Sequence, residues 1–95
     1  MNFEFSGSVF EWRGPSPFYF VELPAPVATE ILVMAKQLTY GWGVIPVLVK
    51  IGSTEFTTSL IPKNGGYLLP LKDAVRKPES LAVGSLPAVS LSLKI

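Results

Sequence analysis

The stretch VIPVLVKIGSTEFTTSLI, residues 44–61, determines more of the fold than any other part of the chain. Every second residue of its first half is a β-branched aliphatic: Ile45, Val47, Val49 and Ile51. This period of two is typical of a strand with one face in the core. The pair Gly52-Ser53 has glycine first, which favours a type II′ turn. We therefore expect Val44–Ile51 and Thr54–Ile61 to form a hairpin, with Phe56, Thr58 and Leu60 on one face.

The same alternation occurs at both ends of the chain. Ala88–Ile95 has aliphatic residues at every second position, so it is expected to be a half-buried strand. Asn2–Trp12 alternates too, with Gly7 in its middle, and a bulge at Gly7 would turn Phe10 and Trp12 inward. Two further strands are expected at Phe18–Leu23 and Tyr67–Leu69, stopped by Pro24 and Pro70 respectively.

One segment has helical periodicity over several turns. It follows Pro26, a residue suited to the first turn of a helix. Its apolar residues lie on one helical face: Val27, Ile31, Met34, Ala35 and Leu38. A second, short helix is expected over Leu71–Lys77, which Pro78 would end.

These segments predict a mainly β protein of about six strands, one helix of about three turns and one short helix. So many strands in 95 residues are typical of a small barrel or sandwich. We expect the longer helix to cover one end of a barrel. The length corresponds to a single domain, residues 1–95.

The composition excludes several kinds of chemistry. The chain has no Cys and no His, which excludes disulfides, cysteine-ligated zinc, cysteine nucleophiles and a Ser-His-Asp triad. We expect no enzymatic activity, no cofactor and no metal. The net charge of +1, from 8 basic and 7 acidic residues, is far from the basic surface of most nucleic-acid-binding proteins.

The chain also lacks the patterns of targeting and membrane insertion. The residues from Met1 to Trp12 have no basic region followed by a continuous apolar run, so we do not interpret them as a signal peptide. The longest uncharged stretches are shorter than the roughly 20 apolar residues that span a bilayer. We expect a cytoplasmic protein that does not contact membranes.

Several motifs together resemble a known family. They are Phe3-Glu4-Phe5, Phe20-Val21-x-Leu23-Pro24, Gly41-Trp42-Gly43, Pro46-Val47 through Ile51-Gly52, Thr58-Ser59-Leu60 with Pro62, Gly66-Tyr67-Leu68-Leu69-Pro70-Leu71-Lys72 and Ala74-Val75-Arg76-Lys77. With these motifs the chain resembles the small bacterial and archaeal family of domains of unknown function numbered nineteen-oh-five. The resemblance covers nearly the whole chain and implies a small split β-barrel. It implies no activity, because none is established for the family.

The C-terminal half has a weaker similarity to another family. A strand that ends at a proline, a short helix with Val75-Arg76-Lys77, a glycine turn and an alternating strand resemble the swapped-hairpin transcription regulators of the AbrB type. This similarity rests on spacing and suggests nucleic-acid binding as an alternative function.

Lys72 and Arg76 are the candidate residues for binding an anion. At a spacing of four they would share one face of the short helix, and a guanidinium can bind a carboxylate or phosphate through two hydrogen bonds. The alternative is a solvated basic face with a local ion pair between Asp73 and Lys77.

Two aromatic residues are further candidates for a binding site. Trp42 lies between two glycines and could project into a pocket or interface, or could instead cover the core. Tyr67 carries a hydroxyl near a turn, as does Ser59, and both hydroxyls could simply bond to the backbone.

Several apolar residues occupy positions where polar ones are expected: Leu32, Val33, Pro46 and Leu48. A contiguous exposed apolar patch would indicate an interaction surface. Our first hypothesis is therefore a non-enzymatic module that docks a protein partner or a second copy of itself. Sensing of a small anionic ligand at Lys72 and Arg76 is the second hypothesis, and nucleic-acid binding is the third.

Overall fold

A computed structural model describes residues 2–13, 17–37 and 44–94. Their elements, in chain order, are β1 Asn2–Ser6, β2 Val9–Arg13, β3 Pro17–Glu22, α1 Ala25–Gln37, β4 Ile45–Ile51, β5 Thr54–Lys63, β6 Gly66–Leu71, α2 Asp73–Arg76 and β7 Ala88–Leu93. The strands form one antiparallel sheet in the order β1-β7-β4-β5-β6-β3-β2. The sheet curls into a half-barrel, so the prediction of a mainly β, barrel-like fold is confirmed.

The hairpin of β4 and β5 forms as the alternation predicts. Every aliphatic residue on the inward face of β4 is buried, and Leu60 faces them from β5. Gly52 has φ +60, and of the two turn residues only this glycine has a positive φ, as in a type II′ turn. The inward side chains of β7 complete this part of the core.

The N-terminal segment consists of two strands rather than one, which raises the count to seven among the described residues. β1 pairs with β7 and β2 pairs with β3, so Gly7 and Ser8 connect the two outer edges of the sheet. A Cβ on Gly7 would lie 2.6 Å from Val21 Cγ1, which shows how closely the chain passes over β3. The expected inward turn of Phe10 and Trp12 is wrong, because both lie on the face opposite the core residue Val9, and Trp12 is 46% exposed.

Pro70 does not stop its strand, contrary to the prediction. β6 continues to Leu71, and Pro70 pairs with Phe20 of β3. The β6 ladder to β5 covers only Gly66–Leu68, so Pro70 lies where β6 has a strand on one side only. A proline is tolerated at such a local edge because no ladder needs its missing N–H.

The two helices differ in how well the sequence predicts them. α1 buries Ala28, Ile31 and Ala35 in the core and packs mainly against β6. Leu38, the last residue of the predicted stripe, lies outside the described residues. α2 is shorter than the predicted Leu71–Lys77, because Leu71 still belongs to β6, Lys72 is extended and the chain turns after Arg76.

Candidate functional site

The outer face of β2 and β3 is aromatic. Val9 pairs with Val21 and both are in the core, so the alternate residues of these strands point outward. Four of them form what we call the aromatic face: Phe10, Trp12, Phe18 and Phe20. Phe20 is its centre, with ring centroids 5.9 Å from Phe10 and 6.2 Å from Trp12.

The aromatic face leaves large apolar surfaces in water. Phe18 is 59% exposed, and Ile61 of β5 is 39% exposed nearby. Phe20 is only 8% exposed, although it is not part of the main core cluster. Its ring is therefore shielded by neighbours on the outside of the sheet. Adjacent exposed side chains of this size are more typical of interaction sites than of ordinary surface.

A cleft of about 610 Å³ opens at the end of this face. We call it the aromatic cleft, and its lining residues are Phe18, Tyr19, Phe20, Ile61, Pro70, Leu71, Lys72 and Asp73. Pro70 lies beside Phe20 in the β3–β6 ladder, and Leu71 lies beside Tyr19. The register of β3 on β6 therefore builds most of its apolar wall.

Basic side chains border the aromatic residues. The Lys63 ammonium lies 3.6 Å from the centre of the Trp12 ring, a cation–π contact. Lys72 is exposed and lines the aromatic cleft next to Asp73. The carboxylate of Asp73 is already paired with Arg76 of α2 and with Lys77, which follows the helix.

Arg76 lies within α2 and Lys72 lies before it, although the sequence predicted that both would share one face of the helix. Lys72 precedes α2 in an extended conformation rather than lying within it. Arg76 Nη2 donates a 2.6 Å hydrogen bond to Asp73 Oδ1, and its guanidinium lies 3.6 Å from the centre of the Tyr19 ring. The alternative ion pair is also present, with Lys77 Nζ 4.0 Å from Asp73 Oδ2. The guanidinium is thus stacked on Tyr19 and paired with Asp73 through Nη2, whereas its buried Nε has no hydrogen-bond partner among the described residues.

A second groove, of about 510 Å³, adjoins the aromatic cleft. We call it the hydroxyl groove, and it is lined by Pro46, Thr57, Thr58, Ser59, Ile61, Pro70, Lys72 and Lys94. Ile61, Pro70 and Lys72 line both spaces, so the two form one continuous surface. Ser59, singled out in the sequence for its hydroxyl, thus lies in this groove.

The candidate Tyr67 does not lie at this surface. It is a core residue of β6, and burial raises the pKa of its phenol. Its ring packs inside the half-barrel and does not line either cleft. Trp42 lies outside the described residues.

Of the four apolar positions that stand out in the sequence, three are exposed but scattered, whereas Pro46 is half-buried and lines the hydroxyl groove. Leu32 and Val33 are exposed on α1. Leu48 is exposed on β4, where its cross-strand neighbours are Thr57 and Ser92. Sequence reasoning placed the patch on these residues and missed Phe18 and Ile61. The alternation of residues in β2 and β3 is the signal that could have revealed Phe18. Because Val9 and Val21 point into the core, the aromatic residues that alternate with them point outward.

The described residues provide neither a metal site nor a membrane-spanning helix. Within residues 2–13, 17–37 and 44–94, no three His, Cys, Asp or Glu residues lie where they could hold a metal ion. None of the helices in these ranges is long and apolar enough to cross a membrane.

The fold and the site define a class of protein: a curled antiparallel half-barrel with an aromatic outer face beside a hydroxyl-lined groove. Residues 5–91 match the family described as a domain of unknown function, DUF1905. The chain belongs to this family, as its motifs suggested. No curated protein matches the chain.

Proposed function

We propose that this protein is a non-enzymatic binding module that docks a segment of a partner protein on its aromatic face and cleft. The observation that carries the proposal is the exposure of Phe18, Trp12 and Ile61 around the shielded ring of Phe20. Aromatic side chains contribute much of the binding energy at protein interfaces. A cytoplasmic location is part of the proposal.

The chemistry of the rim favours one kind of partner. Lys63 borders the apolar surface beside Trp12, and Lys72 borders it in the aromatic cleft. A segment with an aromatic or aliphatic side chain next to Asp or Glu would fill the cleft and face these ammonium groups.

A second copy of the chain fits this face less well. A two-fold contact uses the same patch on both subunits and would bring two copies of the Lys63 and Lys72 rim together. Like charges brought together in this way oppose association. A heterologous partner therefore supplies the better complement.

Selection of random linear peptides on the purified protein tests the proposal. We expect the selected peptides to share an apolar residue flanked by acidic ones. Their affinity for Phe18→Ser and Ile61→Ser should be about tenfold lower or more, because each variant removes an apolar contact from the cleft.

Leu86→Ser is the matched control, since Leu86 is 71% exposed and does not line the cleft. Peptides that show no shared pattern, or that bind Phe18→Ser as tightly as the native protein, would contradict the proposal. Sedimentation over a range of concentrations gives a further check. A dimer that Phe18→Ser dissociates would assign the face to a second copy instead.

A further inference from the structure

One side of β5 has no strand beside it for most of its length. β5 pairs with β4 over Thr54–Leu60 but with β6 only over Ile61–Lys63. β6 then continues along β3 as far as Leu71. Among the described residues, the side of Thr54–Leu60 opposite β4 therefore has no strand partner. The hydroxyl groove runs along this side, since Thr57 and Ser59 are among its lining residues.

The turn before β5 shows which backbone groups point toward the groove. In an antiparallel ladder, hydrogen-bonded pairs alternate with non-bonded pairs. Ile51 and Thr54 close a two-residue turn and so form a bonded pair. Counted along the register, Pro46–Ser59 is then a non-bonded pair, which agrees with the missing N–H of the proline. The N–H and C=O groups of Ser59 therefore point away from β4, and by the same alternation so do those of Thr57.

Pro70 explains why β6 does not bond to these groups. The pair Lys63–Gly66 closes the β5–β6 turn, so alternation makes Ile61–Leu68 a bonded pair. The next bonded pair would place Pro70 opposite Ser59. A proline has no N–H to donate, and the β5–β6 ladder ends before this position. The outward N–H and C=O groups of Thr57 and Ser59 thus have no strand partner among the described residues.

The side chains along this edge do not block a further strand. Charged side chains and prolines are common protections of an exposed edge. Thr57–Ser59 carries only hydroxyl side chains. The two outer strands of the sheet differ, because Glu4 lies in the middle of β1 and the Val9 N–H of β2 already donates a 2.9 Å hydrogen bond to the Ser85 carbonyl. The edge of β5 is therefore the most suitable for strand addition.

We propose that the partner segment binds as an added β-strand whose backbone is hydrogen-bonded to Thr57 and Ser59 of β5. The inference rests on the proposed function for its partner, an apolar and acidic protein segment, and adds the edge on which that segment pairs. In strand addition, main-chain hydrogen bonds give affinity and side-chain pockets give specificity. A helix does not fit this edge, because its own backbone groups are bonded within it.

The aromatic cleft is the side-chain pocket next to this edge. Ile61, Pro70 and Lys72 line both the hydroxyl groove and the cleft. A strand advances about 3.3 Å per residue, so a segment of about five residues is long enough to pair with Thr57–Ser59 and place an apolar side chain in the cleft. Backbone pairing and cleft filling are thus parts of one binding event.

The test uses a capped seven-residue peptide of alternating glutamate and valine in which one valine is replaced by phenylalanine. It is titrated into the ¹⁵N-labelled protein, and amide hydrogen exchange is measured in the saturated complex. We expect the Thr57 and Ser59 amides to exchange about tenfold more slowly or less, and the Thr58 and Leu60 amides, already bonded to β4, to be unchanged. Unchanged exchange at Thr57 and Ser59, or no saturable binding, would overturn the proposal.

Two N-methylated forms of the peptide make the test specific to a strand. One is methylated on its even-numbered amides and the other on its odd-numbered amides. Alternate amides of a strand face the same side, so one form should lose about tenfold or more in affinity while the other binds like the unmodified peptide. Equal affinities of the two forms would show that the peptide does not bind as a strand.

A substitution in the protein tests the same hydrogen bonds from the other side. Ser59→Pro removes the outward N–H and leaves the ladder to β4 intact, as Pro46 does on the opposite strand. It should weaken peptide binding about tenfold. Ser59→Ala is the matched control, because it loses only the hydroxyl and should bind like the native protein. The amide spectrum of each variant shows whether it is folded.

Phe18→Ser separates this inference from the docking proposal, because Phe18 lines the aromatic cleft but not the hydroxyl groove. We expect both Phe18→Ser and Ser59→Pro to weaken the peptide. If only Phe18→Ser does so, the docking face stands and strand addition is wrong. If only Ser59→Pro does so, a strand pairs with β5 and the aromatic cleft is not its pocket.

Discussion

Tyr67 packs into the core although it lies one residue after the glycine that begins β6. Only 3% of its surface is exposed, and its backbone carbonyl accepts a 3.0 Å bond from the Leu23 N–H. Burial disfavours the charged phenolate, so the pKa of Tyr67 is raised above its usual value of about 10. This residue therefore links the stability of the fold to pH in the alkaline range.

We expect the free energy of unfolding to fall as the pH rises above about 10, and Tyr67→Phe to lack this contribution. In that range the unfolded chain releases the Tyr67 proton while the folded chain retains it, so rising pH favours unfolding. Urea unfolding of both proteins from pH 8 upward measures the effect. Lysine titrations are common to both and cancel in the difference. A difference that does not change with pH would contradict the prediction.

The β4–β5 hairpin is joined to the segment after α2 by one carboxylate. Glu79 Oε2 accepts a 2.6 Å hydrogen bond from Thr54 Oγ1 and a longer one from Ser53 Oγ. A Cβ on Gly52 would collide with the Glu79 carboxylate, and Gly52 also has a positive φ. Glycine is favoured at this turn for its backbone conformation, and an added Cβ would displace the Glu79 carboxylate from its hydrogen bonds.

Gly52→Ala should lower the free energy of unfolding by about 2 kcal/mol, roughly half from the positive φ and half from the lost Glu79 hydrogen bonds. Gly65→Ala is the matched control, since Gly65 has φ +79 but a Cβ added there would meet no neighbouring atom within 4 Å. We expect it to lose only about 1 kcal/mol. Chemical denaturation measures both.

A Glu79→Ala background isolates the carboxylate. There the two alanine substitutions should cost the same, because the group that collides with the new Cβ is gone. Equal losses already in the native background would show that Glu79 does not hold the hairpin.

At the scale of the whole molecule, the strands differ in how completely they are paired. β4 has β5 on one side and β7 on the other, whereas Thr57–Leu60 has a strand partner only in β4 among the described residues. Thr57, Thr58 and Ser59 of this segment line the hydroxyl groove. Pairing on both sides also determines where backbone hydrogen bonds are hardest to open.

We expect amide hydrogen exchange to be slowest in β4 and β7. Within Thr57–Leu60, the amides that point away from β4 should exchange much faster than those bonded to it. Exchange followed by NMR at neutral pH resolves the individual amides. Uniform protection along this segment would contradict an accessible edge.

Much of the fold was predictable because its signals are local. The alternation of Ile45–Ile51 and Ala88–Leu93 placed their inward residues correctly, since side chains alternate along any strand. The α1 stripe is buried at Ile31 and Ala35 for the corresponding reason in a helix. The pairing of strands was not predictable from these patterns. Trp12 was misplaced because nothing local indicates how the chain crosses at Gly7 from one sheet edge to the other.

The sequence by itself determined the kind of elements, the inward face of most strands, the family and the absence of cysteine and histidine chemistry. Only the tertiary structure decided where a ligand or partner could bind. Phe18, Ile61 and Lys72 come from three separate segments, and the register of β3, β5 and β6 brings them to one surface. The same packing places the Arg76 guanidinium on the Tyr19 ring and beside Asp73. Periodicity records which way a side chain faces along its own strand, whereas a site depends on which strands become neighbours.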